Sequence, residues 1–178
     1  MRISFCGTHR AGKSTLLEEL AELLPSSYVT VDEPYHQLEE EGHEFAQPPS
    51  LEDFEAQLVR SLENLAEEDG RDVLFDRCPV DFLGYLRAHE DGDAFDLDAW
   101  LPRVREALRK LDLVVFVGIE SRDRISLSAS EDAELRQAVD ETLKELLLDD
   151  PHGLGVAVLE VEGSPRTRAR QVLEHLSR

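Results

Sequence analysis

Residues 2–20 read RISFCGTHRAGKSTLLEEL, and this stretch decides the fold. The apolar run at 2–6 predicts a buried strand, and leucines at helical spacing from Leu16 predict a helix. Between the two, residues 7–14 fit the pattern G-x-x-x-x-G-K-[ST] without a mismatch. Glycines in such a loop let successive backbone N–H groups face one anion, and the start of the helix adds partial positive charge. The stretch therefore predicts a strand–loop–helix unit that binds the phosphates of a nucleoside triphosphate.

This loop indicates ATP and Mg²⁺ as its ligands. Lys13 is expected to reach the β- and γ-phosphates, and the Ser14 hydroxyl is expected to ligate Mg²⁺. We refer to residues 7–15 as the phosphate loop. The residues expected to bind the nucleotide there are Gly7, Thr8, His9, Arg10, Ala11, Gly12, Lys13, Ser14 and Thr15.

Strands and helices alternate along the rest of the chain. A capping box of Ser50 and Asp53 predicts the start of a helix, whereas the polar segment 35–50 before it predicts a loop or a loose helical turn. Alternation of this kind indicates a parallel sheet with helices on both faces. The expected fold is α/β, with three layers around a five-stranded parallel sheet, in one domain over residues 1–178. The further strands are predicted at 28–31, 72–76, 113–119 and 155–161, and the further helices at 51–68, from Pro79, and at 98–110, 131–148 and 164–177.

Composition and charge exclude several classes of protein. The chain has 178 residues, with 19 Lys and Arg against 39 Asp and Glu, which gives a net charge of −20. A surface this acidic repels phosphates, which argues against nucleic acid or an anionic membrane as a partner. Two cysteines, Cys6 and Cys78, do not suggest a disulfide framework. Neither a leader nor a membrane-length apolar run is apparent, so a cytoplasmic protein is expected.

Three carboxylates compete for the roles of metal ligand and catalytic base. Asp76 ends the predicted strand 72–76, and Asp32 and Glu33 end the strand 28–31. A P-loop ATPase needs an acidic pair on the strand beside the phosphate loop, whereas a kinase can use a carboxylate further away as the base for an acceptor hydroxyl. A switch GTPase is poorly supported. Its two partial motifs, at 81–84 and 110–112, fall in a predicted helix and before a strand.

Four segments together resemble a known group of proteins: GTHRAGKST at 7–15, DEP at 32–34, FDRCPVD at 75–81 with the GYL that follows, and EVEGSPRTR at 160–168. They are similar to small P-loop kinases and ATPases of the ribosylnicotinamide-kinase-like AAA group, and more distantly to deoxynucleoside kinases. The resemblance spans nearly the whole chain. It implies an adenylate-kinase-like P-loop fold with a short lid at about 120–130.

The resemblance also implies roles for individual residues. Glu33 is similar to the base that deoxynucleoside kinases place before a proline, and Asp76 to their metal-associated acid. The catalytic residues implied are Lys13, Glu33, Asp76, Arg77 and the lid arginines Arg122 and Arg124; Ser164 and Arg168 would border the adenine. Contacts to the acceptor would come from Glu33, Gln57, Arg77 and Asp81, and Mg²⁺ would lie between Ser14 and Asp76.

The leading hypothesis is therefore ATP-dependent phosphoryl transfer to the hydroxyl of a small, nucleoside-like molecule, such as one resembling ribosylnicotinamide. The alternatives are an ATPase or nucleotide-binding regulatory module, and a nucleoside-monophosphate kinase. Residues 32–69 carry 13 acids and one base, Arg60, which favours a neutral or cationic acceptor over a phosphorylated one.

Overall fold

The computed structural model describes residues 1–120 and 133–177. These residues form one parallel sheet of five strands in the order β2-β3-β1-β4-β5. The predicted α/β fold with a five-stranded parallel sheet is confirmed. The strands are β1 (Arg2–Cys6), β2 (Val29–Val31), β3 (Val73–Asp76), β4 (Leu113–Phe116) and β5 (Val158–Glu160).

Helices cover both faces of this sheet. In the described part of the chain they are α1 (Lys13–Leu23), α2 (Pro34–Glu40), α3 (Leu51–Glu67), α4 (Pro79–Ala88), α5 (Leu97–Leu108), α6 (Ala133–Lys144) and α7 (Pro165–Leu176). A wider π-helical turn, Glu145–Asp149, continues α6, and a short 3₁₀ turn, Gly92–Ala94, precedes α5. None of the helices within residues 1–120 and 133–177 has both the length and the apolar character that crossing a membrane requires.

The sheet separates two hydrophobic cores. Residues alternate between them along β3, β4 and β5, so that Val115 of β4 packs with α1 and α7 while Val114 and Phe116 pack with α3 to α6. Both faces of the central strands are thus apolar, which explains why β4 appears in the sequence as an unbroken apolar run. The arrangement leaves the carboxyl ends of the strands as the edge where polar loops meet.

The segment 35–50 is more regular at its start than the predicted loop or loose helical turn. Its first part is the helix α2, which Pro34 begins because the fixed backbone angle of proline suits the first helical position. The rest leads into α3, where the predicted capping box of Ser50 and Asp53 is present. Asp53 also accepts hydrogen bonds from His43 Nε2 at 2.9 Å and from the Ala46 backbone at 3.1 Å, so one carboxylate fastens this loop to α3.

Several predicted boundaries were too wide. β4 ends at Phe116 and β5 covers only Val158–Glu160, because apolar residues extend beyond the paired positions, after the end of β4 and mainly before the start of β5. Residues 81–84 lie inside α4 and residues 110–112 precede β4, as expected. The predicted lid at 120–130 lies outside the described residues except for Glu120.

Candidate active site

The phosphate loop begins where β1 ends, and its first glycine is required by the sheet. Gly7 has φ 153°, and a Cβ atom added there would lie 2.3 Å from the backbone carbonyl oxygen of Val117, which follows the neighbouring β4. Gly12, with φ 90°, stands at the start of α1 in the left-handed conformation. The loop therefore turns tightly between the sheet and the helix, as its sequence predicts.

Lys13 is 4% exposed, and its Nζ donates a hydrogen bond to the Thr8 carbonyl oxygen at 2.8 Å. Burial, together with the nearby guanidinium of Arg77, lowers the pKa of Lys13 to about 8, although surrounding carboxylates oppose the shift. The ammonium group is thus held inside the loop, at the place where phosphates are expected.

Ser14 and Asp76 meet beside the loop, because β3 pairs directly with β1 and places Asp76 opposite Phe5. Ser14 Oγ donates to Asp76 Oδ2 at 2.8 Å. The other oxygen, Oδ1, is buried without a hydrogen-bond partner in residues 1–120 and 133–177. Burial raises the pKa of Asp76, with Lys13 opposing and Glu33 adding to the shift. A hydroxyl and a partly unsatisfied carboxylate are oxygen ligands of the kind that Mg²⁺ prefers, so the residues fit that ion.

The strand order separates the roles of the other two acids. β3 lies between β1 and β2, so Asp32 and Glu33, which follow β2, are not on the strand beside the phosphate loop. Asp32 is exposed and accepts a hydrogen bond from the Glu33 backbone at 2.9 Å. Glu33 instead faces inward, with its side chain 20% exposed, towards Arg77. The arrangement does not match the acidic pair that a P-loop ATPase needs next to its loop.

Arg77 connects Glu33 to the phosphate loop. Its Nε donates to Glu33 Oε1 at 2.6 Å, and its Nη1 donates to the Gly7 carbonyl oxygen at 3.1 Å. Arg77 has φ 80°, a costly conformation for a residue with a side chain, which these contacts stabilise. Burial acts to raise the pKa of Glu33, but Arg77 and Lys13 outweigh it and the pKa is lowered. Glu33 is therefore ionised at neutral pH.

Asp81 has a different place from the one its sequence position suggests. It is fully buried and accepts hydrogen bonds from the backbone N–H groups of Gly7 and Cys78, each at 2.9 Å, and from Arg77 Nη1 at 3.2 Å. With its oxygens bonded in this way, Asp81 supports the loop and Arg77, which does not agree with the predicted direct contact to an acceptor. Cys6 and Cys78 are free, buried thiols next to it.

An aromatic pair lies between α3 and α4. Phe54 stacks on Tyr85 with ring centres 4.9 Å apart, and the Tyr85 hydroxyl accepts a hydrogen bond from the His9 backbone at 2.7 Å. Gln57 lies one turn from Phe54, 5% exposed, and its amide nitrogen donates to the Asp53 carbonyl oxygen within the helix. The sequence shows Tyr85 only as part of the segment that resembles the kinases and indicates no role for it. In the structure its hydroxyl group contacts the phosphate loop.

A cleft of about 230 Å³ opens on the other side of the phosphate loop, towards the end of β4 and the start of α7. Its lining includes Gly12, Ile119, Pro165 and Arg168. Arg168 thus lies beside the loop. Ser164 caps α7 instead, accepting a hydrogen bond from the Thr167 backbone at 3.2 Å, and it does not line this cleft.

A buried arginine that sequence reasoning missed also reaches the loop. Arg136 on α6 is 4% exposed and donates to the carbonyl oxygens of His9 and Arg10 at 3.1 and 3.3 Å. In the sequence it is one more charged residue of a charged helix, so nothing distinguishes it. Arg122 and Arg124, which the resemblance places in a lid, lie outside the described residues.

Solved structures of similar fold include nucleoside and nucleotide kinases. A deoxyadenosine kinase from M. mycoides with bound dATP has a TM-score of 0.70 and 16% sequence identity, with 100% of both chains covered. A structure of deoxyadenosine kinase from M. mycoides with bound dCTP has a TM-score of 0.69 and 17% identity over 99% of both chains. Thymidylate kinase from Candida albicans has a TM-score of 0.63 and 16% identity, with 98% of this chain and 90% of that chain covered. At these identities, the likeness shows a shared fold.

Comparison of sequences places the chain in a family. No curated protein has a sequence that matches it significantly. The family model described as "AAA domain" matches residues 2–168, nearly the whole chain and all of the phosphate loop. A P-loop family agrees with the loop, sheet order and Ser14–Asp76 contact described above. The chain therefore belongs to the AAA domain family.

Proposed function

We propose that the protein transfers the γ-phosphoryl group of ATP to the hydroxyl group of a small, nucleoside-like molecule. The observation that carries the proposal is the position of Arg77, which touches both Glu33 and the phosphate loop. A candidate base for a hydroxyl and a candidate site for a triphosphate are thereby held next to each other. The likeness in fold to deoxyadenosine and thymidylate kinases supports the same reaction class.

The phosphate loop would bind the triphosphate of ATP. Its backbone N–H groups and the start of α1 favour anions, and Lys13 would exchange the Thr8 carbonyl for phosphate oxygens. Ser14 and Asp76 would hold Mg²⁺, which neutralises phosphate charge when it is bound. Positioning and charge stabilisation, rather than covalent chemistry by the protein, would supply most of the rate.

Glu33 would act as the general base. An acceptor hydroxyl beside Glu33 would give its proton to the carboxylate while the hydroxyl oxygen forms a bond to the γ-phosphorus of ATP. The bond between the γ-phosphorus and the β–γ bridging oxygen would break, and that oxygen would leave as part of ADP. The lowered pKa of Glu33 keeps the side chain in its unprotonated, carboxylate form before the reaction. Arg77 would orient Glu33 and stabilise negative charge near the transferred group.

The charges on the acceptor side favour a molecule without phosphate. The only base of segment 32–69, Arg60, is paired with Glu41 and lies 3.8 Å from Glu63. Arg87 of α4 pairs with Glu145 at 3.3 Å. A phosphorylated acceptor would need to displace such pairs and would meet a surplus of carboxylates. A neutral nucleoside, or a cationic one resembling ribosylnicotinamide, meets no such penalty.

A nucleoside-monophosphate kinase is the second candidate, favoured by the likeness in fold to thymidylate kinase. Release of ADP, measured with purified protein, ATP and Mg²⁺, distinguishes the two. We expect turnover with nucleosides or ribosylnicotinamide and little turnover with nucleoside monophosphates. Turnover with monophosphates alone would establish the second candidate, and ATP hydrolysis unaffected by any acceptor would contradict both.

Nucleotide affinity is expected to depend on pH through Lys13. The pKa of Lys13 is about 8 in the free protein, and bound phosphates favour its protonated form. Affinity for ADP should therefore be steady just below this pKa and fall by up to about tenfold per pH unit above it. Calorimetric titration across this range measures the effect. In Lys13→Arg the side chain stays charged, so that the decline should disappear; an equal decline in that variant would assign it to another group.

A further inference from the structure

Five consecutive carbonyl groups of the phosphate loop each accept a hydrogen bond from a cationic side chain. The pattern runs without a gap from Gly7 to Ala11, after which the Gly12 carbonyl accepts the first bond of α1. The donors and distances are Arg77 Nη1 to Gly7 at 3.1 Å, Lys13 Nζ to Thr8 at 2.8 Å, Arg136 Nε to His9 at 3.1 Å, Arg136 Nη2 to Arg10 at 3.3 Å, and Arg168 Nη1 to Ala11 at 2.8 Å.

Three of the four donors, Arg77, Arg136 and Arg168, come from distant parts of the chain, the fourth, Lys13, belongs to the loop itself, and all four are buried. Lys13 and Arg136 are 4% exposed, and Arg77 and Arg168 are 8% exposed. Burial of a charged group costs free energy unless the group is paired or hydrogen-bonded, so four buried cations around one loop require compensating interactions. Hydrogen bonds from charged donors are about twice as strong as those between neutral groups. The loop carbonyls accept such bonds and so compensate for the burial of the four cations.

The direction of these carbonyls matters for anion binding. In a loop that binds phosphate, backbone N–H groups must point inward, and carbonyls that rotated inward would repel the anion. The carbonyl group of one residue and the N–H group of the next belong to one planar peptide unit. Arg136 and Arg168, which bind the carbonyls of residues 9–11, therefore also fix the direction of the N–H groups of residues 10–12. A loop fixed in this way loses less conformational entropy when its ligand arrives.

We propose that Arg136 and Arg168 are positioning residues that keep the phosphate loop in its anion-binding shape before the nucleotide binds. The proposal rests on the proposed function, in which that anion is the phosphate chain of ATP. Lys13 has its own contact to make with phosphate, and Arg77 also serves Glu33. Arg136 and Arg168 hold three of the five carbonyls and approach from α6 and α7, beside the cleft and away from Glu33.

Charge-preserving variants separate this role from a direct contact with nucleotide. Arg136→Lys keeps the charge but cannot reach two carbonyls with a rigid fork, and Arg168→Lys cannot reach Ala11 and Glu120 together. Arg170→Lys on α7 is the matched control, since Arg170 is exposed and forms a loose surface ion pair with Glu174 at 3.8 Å. The probes are ADP and inorganic tripolyphosphate, which has neither base nor ribose, titrated calorimetrically into the purified chain of 178 residues.

We expect each of the two buried variants to bind both probes about tenfold more weakly, with an unchanged dependence on salt, and the control to stay within about twofold of wild type. The melting temperatures without ligand should be close to wild type, which a general loss of structure would not allow. Because the two arginines lie on different helices, failure of one variant to fold leaves the other as the test.

Three results would overturn the proposal. Wild-type affinity for tripolyphosphate in both lysine variants would mean that any role is that of a point charge. Weaker binding of ADP with unchanged binding of tripolyphosphate would assign the arginines to the base or ribose. A wild-type protein that binds neither probe would overturn the proposed function together with this inference, whereas normal wild-type binding with unaffected variants overturns the inference alone.

Discussion

A Glu33→Gln variant is expected to transfer phosphoryl groups about 10²–10⁴-fold more slowly than the wild type, with little change in affinity for ADP. The amide keeps the shape of the side chain and an oxygen that can accept the Arg77 hydrogen bond, but it cannot take the proton of an acceptor hydroxyl. The readout is steady-state release of ADP with the best acceptor of the screen, together with calorimetric titration of ADP.

Asp32→Asn is the matched control for this experiment. Asp32 is the adjacent acid on the same turn, but it is exposed and bonded to the Glu33 backbone. We expect it to retain turnover within a few-fold of wild type. If turnover instead falls in Asp32→Asn and survives in Glu33→Gln, Asp32 is the base.

Replacement of Arg77 by methionine is expected to lower the free energy of unfolding by about 3–5 kcal/mol, because it leaves buried carboxylates without their cation. The two partners are Glu33, 20% exposed at the side chain, and Asp81, which is fully buried. Turnover should fall as well, since the variant removes the contact between the base and the phosphate loop. Urea unfolding followed by circular dichroism measures the stability.

The loss of unfolding free energy in Arg77→Met is expected to depend on the charge of Glu33. In the double variant Arg77→Met with Glu33→Gln, one of the two unpaired carboxylates is absent, so the added loss relative to Glu33→Gln should be smaller than 3–5 kcal/mol. Arg103→Met serves as a control, because Arg103 lies over the ring of Trp100 outside the active site. A loss below about 1 kcal/mol for Arg77→Met would contradict the interpretation of Arg77 as the cation that neutralises this site.

The fold and the phosphate loop could be predicted because their signals are local. The loop pattern specifies residues at fixed spacing, and the capping box of Ser50 and Asp53 needs only four residues to form. An unbroken apolar run such as that of β4 indicates a strand buried on both faces without knowledge of its neighbours. In contrast, the helix α2 was predicted only as a loop or a loose helical turn, because the six residues that follow Pro34 in it include few apolar side chains and show no clear apolar period.

Contacts across the fold could not be predicted in the same way. Asp81 was assigned to the acceptor from its position in a family-like segment, yet its neighbours Gly7 and Arg77 show it buried under the loop. Arg136 is separated from His9 by 127 residues in sequence, and no pattern links them. The strand order, which sets Asp76 beside the loop and Glu33 one strand further away, arises from chain crossings that sequence periodicity does not encode.

The close approach of Gly7 to Val117, directly after β4, affects how the phosphate loop should be interpreted in related proteins that have lost part of its motif. Every amino acid other than glycine would place its Cβ 2.3 Å from the Val117 oxygen, whether or not a nucleotide ever binds. A descendant that lost its catalytic activity would thus retain this glycine simply to close the sheet, while Lys13 would be free to drift. The presence of the first glycine of the motif in a related protein therefore indicates only that the fold is kept. The presence of the lysine indicates that phosphate binding is kept.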